Sequence, residues 1–228
     1  MMSLLPLDWL AFLWFVACWV GYGYYADALR AGGRSLTHVI HVYRLAWMRR
    51  MLLRDNRVTD AALVGNLVSS VSFFATTSMY IIAGILALIG TSEHVISFIS
   101  ELPIAPHNAS SKAGWDFKLL LMLVIFIYAY FKFTWSLRQF NLLSILIGGA
   151  PMPEEKDEHD GFARRAAAVN TYAGDEFNRG IRAYYFGLAG VAWFIRPGLF
   201  AAATALIVFV LYRRDFRSAT LAAMHDDV

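Results

Sequence analysis

The sequence predicts an all-α integral membrane bundle, with four transmembrane helices and two amphipathic helices at its interfacial or cytoplasmic edge, forming a single membrane domain over residues 1–228. Three observations carry that reading. Of 228 residues, 58% are hydrophobic and only 16% are Asp, Glu, Lys or Arg, against about 25% charged in an ordinary soluble domain. With a mean hydropathy of +0.50, the chain lacks the polar residues to cover a core of this size in water. The apolar residues fall in four long stretches, and the basic residues crowd into two of the segments between them. A content of 6 Pro, 16 Gly and one Cys, Cys18, argues against disorder, a collagen repeat or a disulfide framework.

A spanning helix needs roughly 20 mostly apolar residues, because its backbone polar groups must be bonded within the segment. The first span is expected at about residues 7–25 (LDWLAFLWFVACWVGYGYY), with Trp9 at one interface and Tyr22, Tyr24 and Tyr25 at the other. The preceding residues have no basic cluster and the stretch ends without a small-residue cleavage site, so it reads as a retained span. Ser35 is placed to cap a helix over 36–53, with Leu36, Val39, Ile40, Tyr43, Trp47 and Met51 on one face and His38, His41 and Arg49 opposite. Such a helix lies in the headgroup layer, with anionic lipid headgroups at the Arg44–Arg57 region, or packs against another part of the chain.

The second span is expected at about 61–90, and the third at 117–136 with a helical extension to 147, ended by Gly148-Gly149 and Pro151. Between them, residues 93–116 carry a short apolar piece and Asn108-Ala109-Ser110, which reads as a chance match to a glycosylation acceptor. Residues 151–161 (PMPEEKDEHDG) form an acidic, Pro-bracketed linker. A second amphipathic helix follows at about 162–182, its face of Phe162, Ala166, Val169, Ala173, Phe177 and Gly180 small enough for another helix to approach closely. The fourth span is expected at 184–212, with Arg196-Pro197 in its middle.

Basic loops stay cytoplasmic. Seven Arg lie between the first two spans and five Lys or Arg between the last two, against Lys112 and the three Arg of the C-terminal RRDFR cluster on the other side. The expected setting is therefore a bacterial inner membrane with both termini outside. The RRDFR cluster opposes that arrangement; a re-entrant pair of half-helices around Arg196-Pro197 would bring the C-terminus inside.

Candidate chemistry is sparse. Val20-Gly21-Tyr22-Gly23 repeats the core of a potassium filter, but it closes a first span with no pore helix before it, and reads as part of a tyrosine belt. Asn66, Ser69, Ser70, Phe73, Thr77, Tyr80 and Gly84 share a third of the second span's circumference, widened by Ser72 and Thr76. A hydroxyl stripe of this kind meets protein or water, as a helix-packing face or as the wall of a permeation path. Lys132, Arg138 and Arg196 are the basic residues at membrane depth, and with Arg182 they are candidate contacts for an anion or a lipid phosphate. His38 and His41 lack a third ligand, and Cys18 has no base nearby, so no cofactor, metal or catalytic set is expected. The basic residues sit where membrane topology alone puts them, which argues against nucleic acid as a partner.

Several runs carry a family resemblance: residues 66–86 (NLVSSVSFFATTSMYIIAGIL), the Phe117-Lys118 opening of the third span, WSLRQFN at 135–141, FNRGIRAYYF at 177–186 and WFIRPG at 193–198. Together they resemble the multi-pass membrane proteins grouped as domain of unknown function 599, over roughly residues 5 to 215. The resemblance implies a multi-pass membrane protein and supplies no activity. The shared positions include Asn66, Ser72, Thr76, Thr77, Lys118, Arg138, Gly180, Arg182 and Pro197. The expected role is that of a non-enzymatic structural or accessory subunit, within a homo-oligomer or larger membrane complex. The alternative is a small channel or transporter, for anions by its Arg residues, lined by the stripe of the second span.

Overall fold

The computed structural model describes residues 6–30, 36–93 and 112–225, and the regular elements among them are all helical. In chain order they are α1 (Pro6–Arg30), α2 (Leu36–Leu52), α3 (Val58–Gly90), α4 (Lys112–Gly148), α5 (Lys156–Val191), a 3₁₀ turn (Ala192–Phe194), α6 (Pro197–Phe216) and α7 (Ala219–His225). Pro6 opens α1, where its missing N–H is one the helix leaves unused in any case. Asn56 accepts the Val58 N–H at 2.9 Å as α3 begins. Among these, α1, α3 and α4 are long and apolar enough to cross a membrane.

The expected fourth span requires correction. Instead of one helix over 184–212 there are two, separated by the 3₁₀ turn and by Arg196 in extended conformation, φ −155° and ψ 143°. Pro197 accounts for the break: it carries no N–H to continue the ladder and pushes the residue before it out of the helical region. The apolar stretch Tyr184–Val191 is the end of α5, which runs unbroken from Lys156 and absorbs the amphipathic helix expected at 162–182.

Contacts along the bundle give each helix a direction. Trp193 Nε1 donates to Asp8 at 2.8 Å, Trp14 Nε1 to the Ala201 carbonyl at 3.3 Å, and Tyr22 Oη to Asp215 at 2.8 Å, so α1 and α6 run parallel. Ser136 Oγ reaches the Ala173 carbonyl at 2.7 Å and the Phe126 and Tyr184 rings meet at 5.2 Å, so α4 and α5 are antiparallel. α3 is antiparallel to α4, from Arg57 donating to the Ala150 carbonyl at 2.8 Å to Ile85 in a cluster with Leu119 and Phe126. The chain therefore reverses at Arg196-Pro197, and the end of α6 returns to the end of the bundle occupied by α2. The first turn of α1 and the last turn of α6 lie at opposite ends of the bundle, whereas the expected arrangement put both termini on one side.

The three longest helices have 33, 37 and 36 residues. At 1.5 Å per residue they reach about 50–55 Å, well beyond the ~30 Å of a hydrocarbon core. The excess forms a polar end, where α2 packs on the charged half of α5. His41 pairs with Asp175 at 3.3 Å, and Arg49 donates to Asp160 at 2.9 Å. The Asp160 carboxyl is held below its ordinary range by hydrogen bonds, first from Arg164 and then from Arg49. The 36–53 helix thus packs against the chain itself, one of its two expected settings.

In the apolar half the tightest seam joins α4 and α5. Gly180, Gly187 and Gly190 turn their bare Cα positions toward Phe133, Phe126 and Met122 of α4. Phe74, Phe177 and Tyr184 surround the Phe133 ring at 5.6, 5.7 and 5.5 Å.

Candidate functional site

Where the apolar half meets the polar end, five charged side chains from three helices form a continuous line. Residues 176, 179 and 182 follow at steps of three and share one face of α5. Arg182 Nη2 donates to Asp27 Oδ1 at 3.0 Å, and Arg179 Nη2 donates to Asp27 Oδ2, also at 3.0 Å. Arg179 continues to Glu176 at 2.5 Å, and Lys132 Nζ donates to the other oxygen of Glu176 at 2.8 Å. Lys132 also lies 5.5 Å from the Tyr128 ring centre, four residues earlier on α4 and so on the same side of it. The last turn of α1 supplies Asp27, α4 supplies Lys132, and α5 supplies the rest.

Beside this line a cavity of about 360 Å³ opens between α1, α4 and α5. Asp27, Arg179 and Arg182 close one end, while Trp19, Tyr128 and Phe186 form much of the wall. Those three rings brace one another, with Trp19 5.7 Å from Tyr128 and 6.3 Å from Phe186. Gly23 borders the cavity, and a Cβ there would meet no atom within 4 Å. Arg182 is only 6% exposed; it also borders a smaller cavity of about 80 Å³ with Thr37, Asn178, Arg214 and Asp215.

A second polar cluster lies at the opposite end. Asp8, Lys118 and Trp193 are all buried. Lys118 Nζ lies 3.2 Å from the Trp193 carbonyl and 3.6 Å from Asp8 Oδ1, and Trp193 Nε1 donates to the same Asp8 oxygen. The cluster joins the first turn of α1, the second turn of α4 and the turn that ends α5.

Of the four basic residues singled out from sequence, Arg182 and Lys132 meet in the five-residue line. Arg138 does not join them: it is exposed, with its guanidinium 5.4 Å from the Trp135 ring centre. Arg196 is not at depth either, because the reversal places it exposed in the turn at the Asp8 end. On α3, Asn66, Ser69, Ser70, Thr76 and Tyr80 are exposed and Ser72 and Thr77 half-buried, so the hydroxyl stripe faces out of the bundle. Ser70 and Thr77 return their hydroxyls to the carbonyls of Asn66 and Phe73 at 3.0 and 2.8 Å. Ser78, outside the stripe, points inward and meets Tyr184 Oη at 2.8 Å. Sequence reasoning missed Asp27, Glu176 and Arg179, which lie outside the apolar stretches, and the Asp8–Lys118 pair. Both members of that pair stand at the outer ends of their expected spans, so matching residues by depth was the signal available.

Long apolar helices, an ion-paired line at the border of the apolar half and a hydroxyl face turned outward define an all-helical membrane protein. A family model described as "Protein of unknown function, DUF599" matches residues 10–220, and the chain belongs to that family. No curated protein matches it, and no solved structure does.

Proposed function

We propose that the protein is a non-catalytic subunit of an inner-membrane assembly, which it joins through the outward face of α3. One observation carries this reading: on a helix built to lie in hydrocarbon, the stripe from Asn66 to Tyr80 is covered by no other helix among the described residues, and its Phe73 and Tyr80 are 66% and 74% exposed. Hydroxyls facing lipid gain nothing there, whereas small polar residues beside aromatic ones suit close approach by a further helix. The same outward placement weighs against a pore through a single copy.

The test is a photo-reactive phenylalanine analogue at Tyr80, irradiated in native membranes. The expected result is an adduct with a distinct membrane protein, absent when the analogue is at Leu206, an exposed position on α6. Adducts with lipid alone, or equal adducts from both positions, would overturn the reading; adducts only with a second copy would replace the accessory role with a homo-oligomer.

Orientation follows the same proposal. With α6 returning to the α2 end, that end gathers Arg30, Arg44, Arg49, Arg50, Arg54 and Arg57, the five basic residues from Lys156 to Arg182, and Arg213, Arg214 and Arg217. Fourteen of the 19 Lys and Arg among the described residues thus fall at one end, against Lys112, Lys118 and Arg196 at the other, which supports the α2 end and the end of α6 as cytoplasmic. A fluorescent protein fused after Val228 is expected to mature, and alkaline phosphatase fused at the same point to be inactive. An active phosphatase fusion would reverse the assignment.

A further inference from the structure

We propose that the cavity between α1, α4 and α5 binds the phosphate head of a single anionic phospholipid, with its chains leaving along the aromatic wall into the bilayer. The walls set the class of ligand. One end carries Asp27, Arg179 and Arg182, and the remainder is largely apolar, with Trp19, Val20, Tyr128 and Phe186. A soluble anion would leave that wall bare, and a neutral lipid would leave the charged end unanswered. An amphiphile satisfies both, and about 360 Å³ falls in the usual range for small-molecule sites, which accommodates a head group and the start of its chains.

Charge sets the sign of the head. Lys132, Arg179 and Arg182 bring three positive charges to the two negative charges of Asp27 and Glu176, so the line carries one surplus positive charge. Arg182 is the most deeply buried guanidinium of the line. A guanidinium offers five N–H groups in a fixed fork that suits phosphate; Arg182 borders the cavity, is 6% exposed and gives Nη2 to Asp27. In so shielded a place a phosphate oxygen beside a guanidinium is held more strongly than it would be in water. Asp27 holds the two guanidinium groups side by side, orienting them toward the cavity.

Depth agrees with chemistry. Asp27 lies two residues beyond Tyr25, the last residue of the first apolar stretch, and the line stands where the helices pass from apolar to polar surroundings. Lipid phosphates lie at that level.

The full-length protein, purified in a mild non-ionic detergent and delipidated, would be tested with dioleoyl phosphatidylglycerol, dioleoyl phosphatidylcholine and inorganic phosphate. The readouts are native mass spectrometry and thermal unfolding. The expected result is one phosphatidylglycerol retained per chain with a rise in melting temperature, at least tenfold weaker retention of phosphatidylcholine, and no rise with inorganic phosphate. Arg182→Gln should weaken phosphatidylglycerol retention at least tenfold. Because that change also removes a member of the ion-paired line, Gly23→Leu provides a second variant: it adds bulk at the cavity wall, at a position with open space around the Cβ. Gly23→Leu is expected to melt no lower than wild type without lipid and to lose the phosphatidylglycerol effect. Equal retention of both lipids, an equal rise with inorganic phosphate, or wild-type retention by a folded Gly23→Leu protein would each overturn the proposal.

Discussion

Lys118→Met lowers the stability of the protein by about 3–5 kcal/mol, the usual cost of stranding one member of a buried ion pair. Its Nζ is placed between the Trp193 carbonyl at 3.2 Å and Asp8 Oδ1 at 3.6 Å, and the residue is 3% exposed. Removing the ammonium takes a positive charge away from the buried Asp8 carboxylate while Trp193 still holds it in place. For a chain of this length the loss corresponds to a fall of about 10 °C in melting temperature, read by tryptophan fluorescence in detergent. The double variant Asp8→Asn/Lys118→Met removes both charges and keeps an acceptor for the indole. It recovers most of the loss, because neutral groups of similar volume replace a buried pair at little or no cost. If Lys118→Met melts with wild type, the pair is solvated and the account of this end of the bundle fails.

The second large effect is at Gly180. A Cβ there would lie 2.5 Å from Phe133 Cε1 and 2.8 Å from two further ring carbons. Phe133 has 0% exposure, and the three rings around it leave it nowhere to turn. Gly180→Leu is therefore expected to cost about 3 kcal/mol or more, at or above the upper end for overpacking a filled core, and to yield largely aggregated protein on size-exclusion chromatography. Gly84→Ala is the contrast, since a Cβ there meets nothing within 4 Å; the gain in helix preference should raise stability by about 0.5–1 kcal/mol. Adding Phe133→Leu to Gly180→Leu should restore part of the loss. A Gly180→Leu protein that stays monodisperse and melts like wild type would show that α4 and α5 separate at this seam without cost.

The apolar stretches placed α1, α3 and α4 within a few residues, because continuous hydrophobicity over 20 residues has few structural alternatives. What those stretches could not say is how the chain behaves at Arg196-Pro197. A kinked span and a reversal share the same local pattern, and the choice between them rests on contacts of long separation: Trp193 with Asp8, and Asp215 with Tyr22. The unbroken length of α5 was hidden for a related reason. Its first half is charged and its second apolar, so reading by composition divides one helix into two segments. At the candidate site Lys132 stood out because positive charge is costly in hydrocarbon, and Arg182 as a position shared with the family. Their acidic partners did not, since Asp27 and Glu176 lie outside the apolar stretches and only the register of α5 against α1 and α4 brings them together.

The parallel pairing of α1 with α6 also bears on how the protein is made. The buried face of α1, with Phe15 against Phe200 at 5.0 Å, is completed by a helix that leaves the ribosome about 180 residues later. At roughly 5–20 residues per second, that interval lasts about 10–40 s. During it α1 stands in the membrane with an unfinished side, available to insertases, chaperones or proteases that survey nascent membrane proteins. Synthesis of α6 ends that exposure, because Phe200 then covers Phe15.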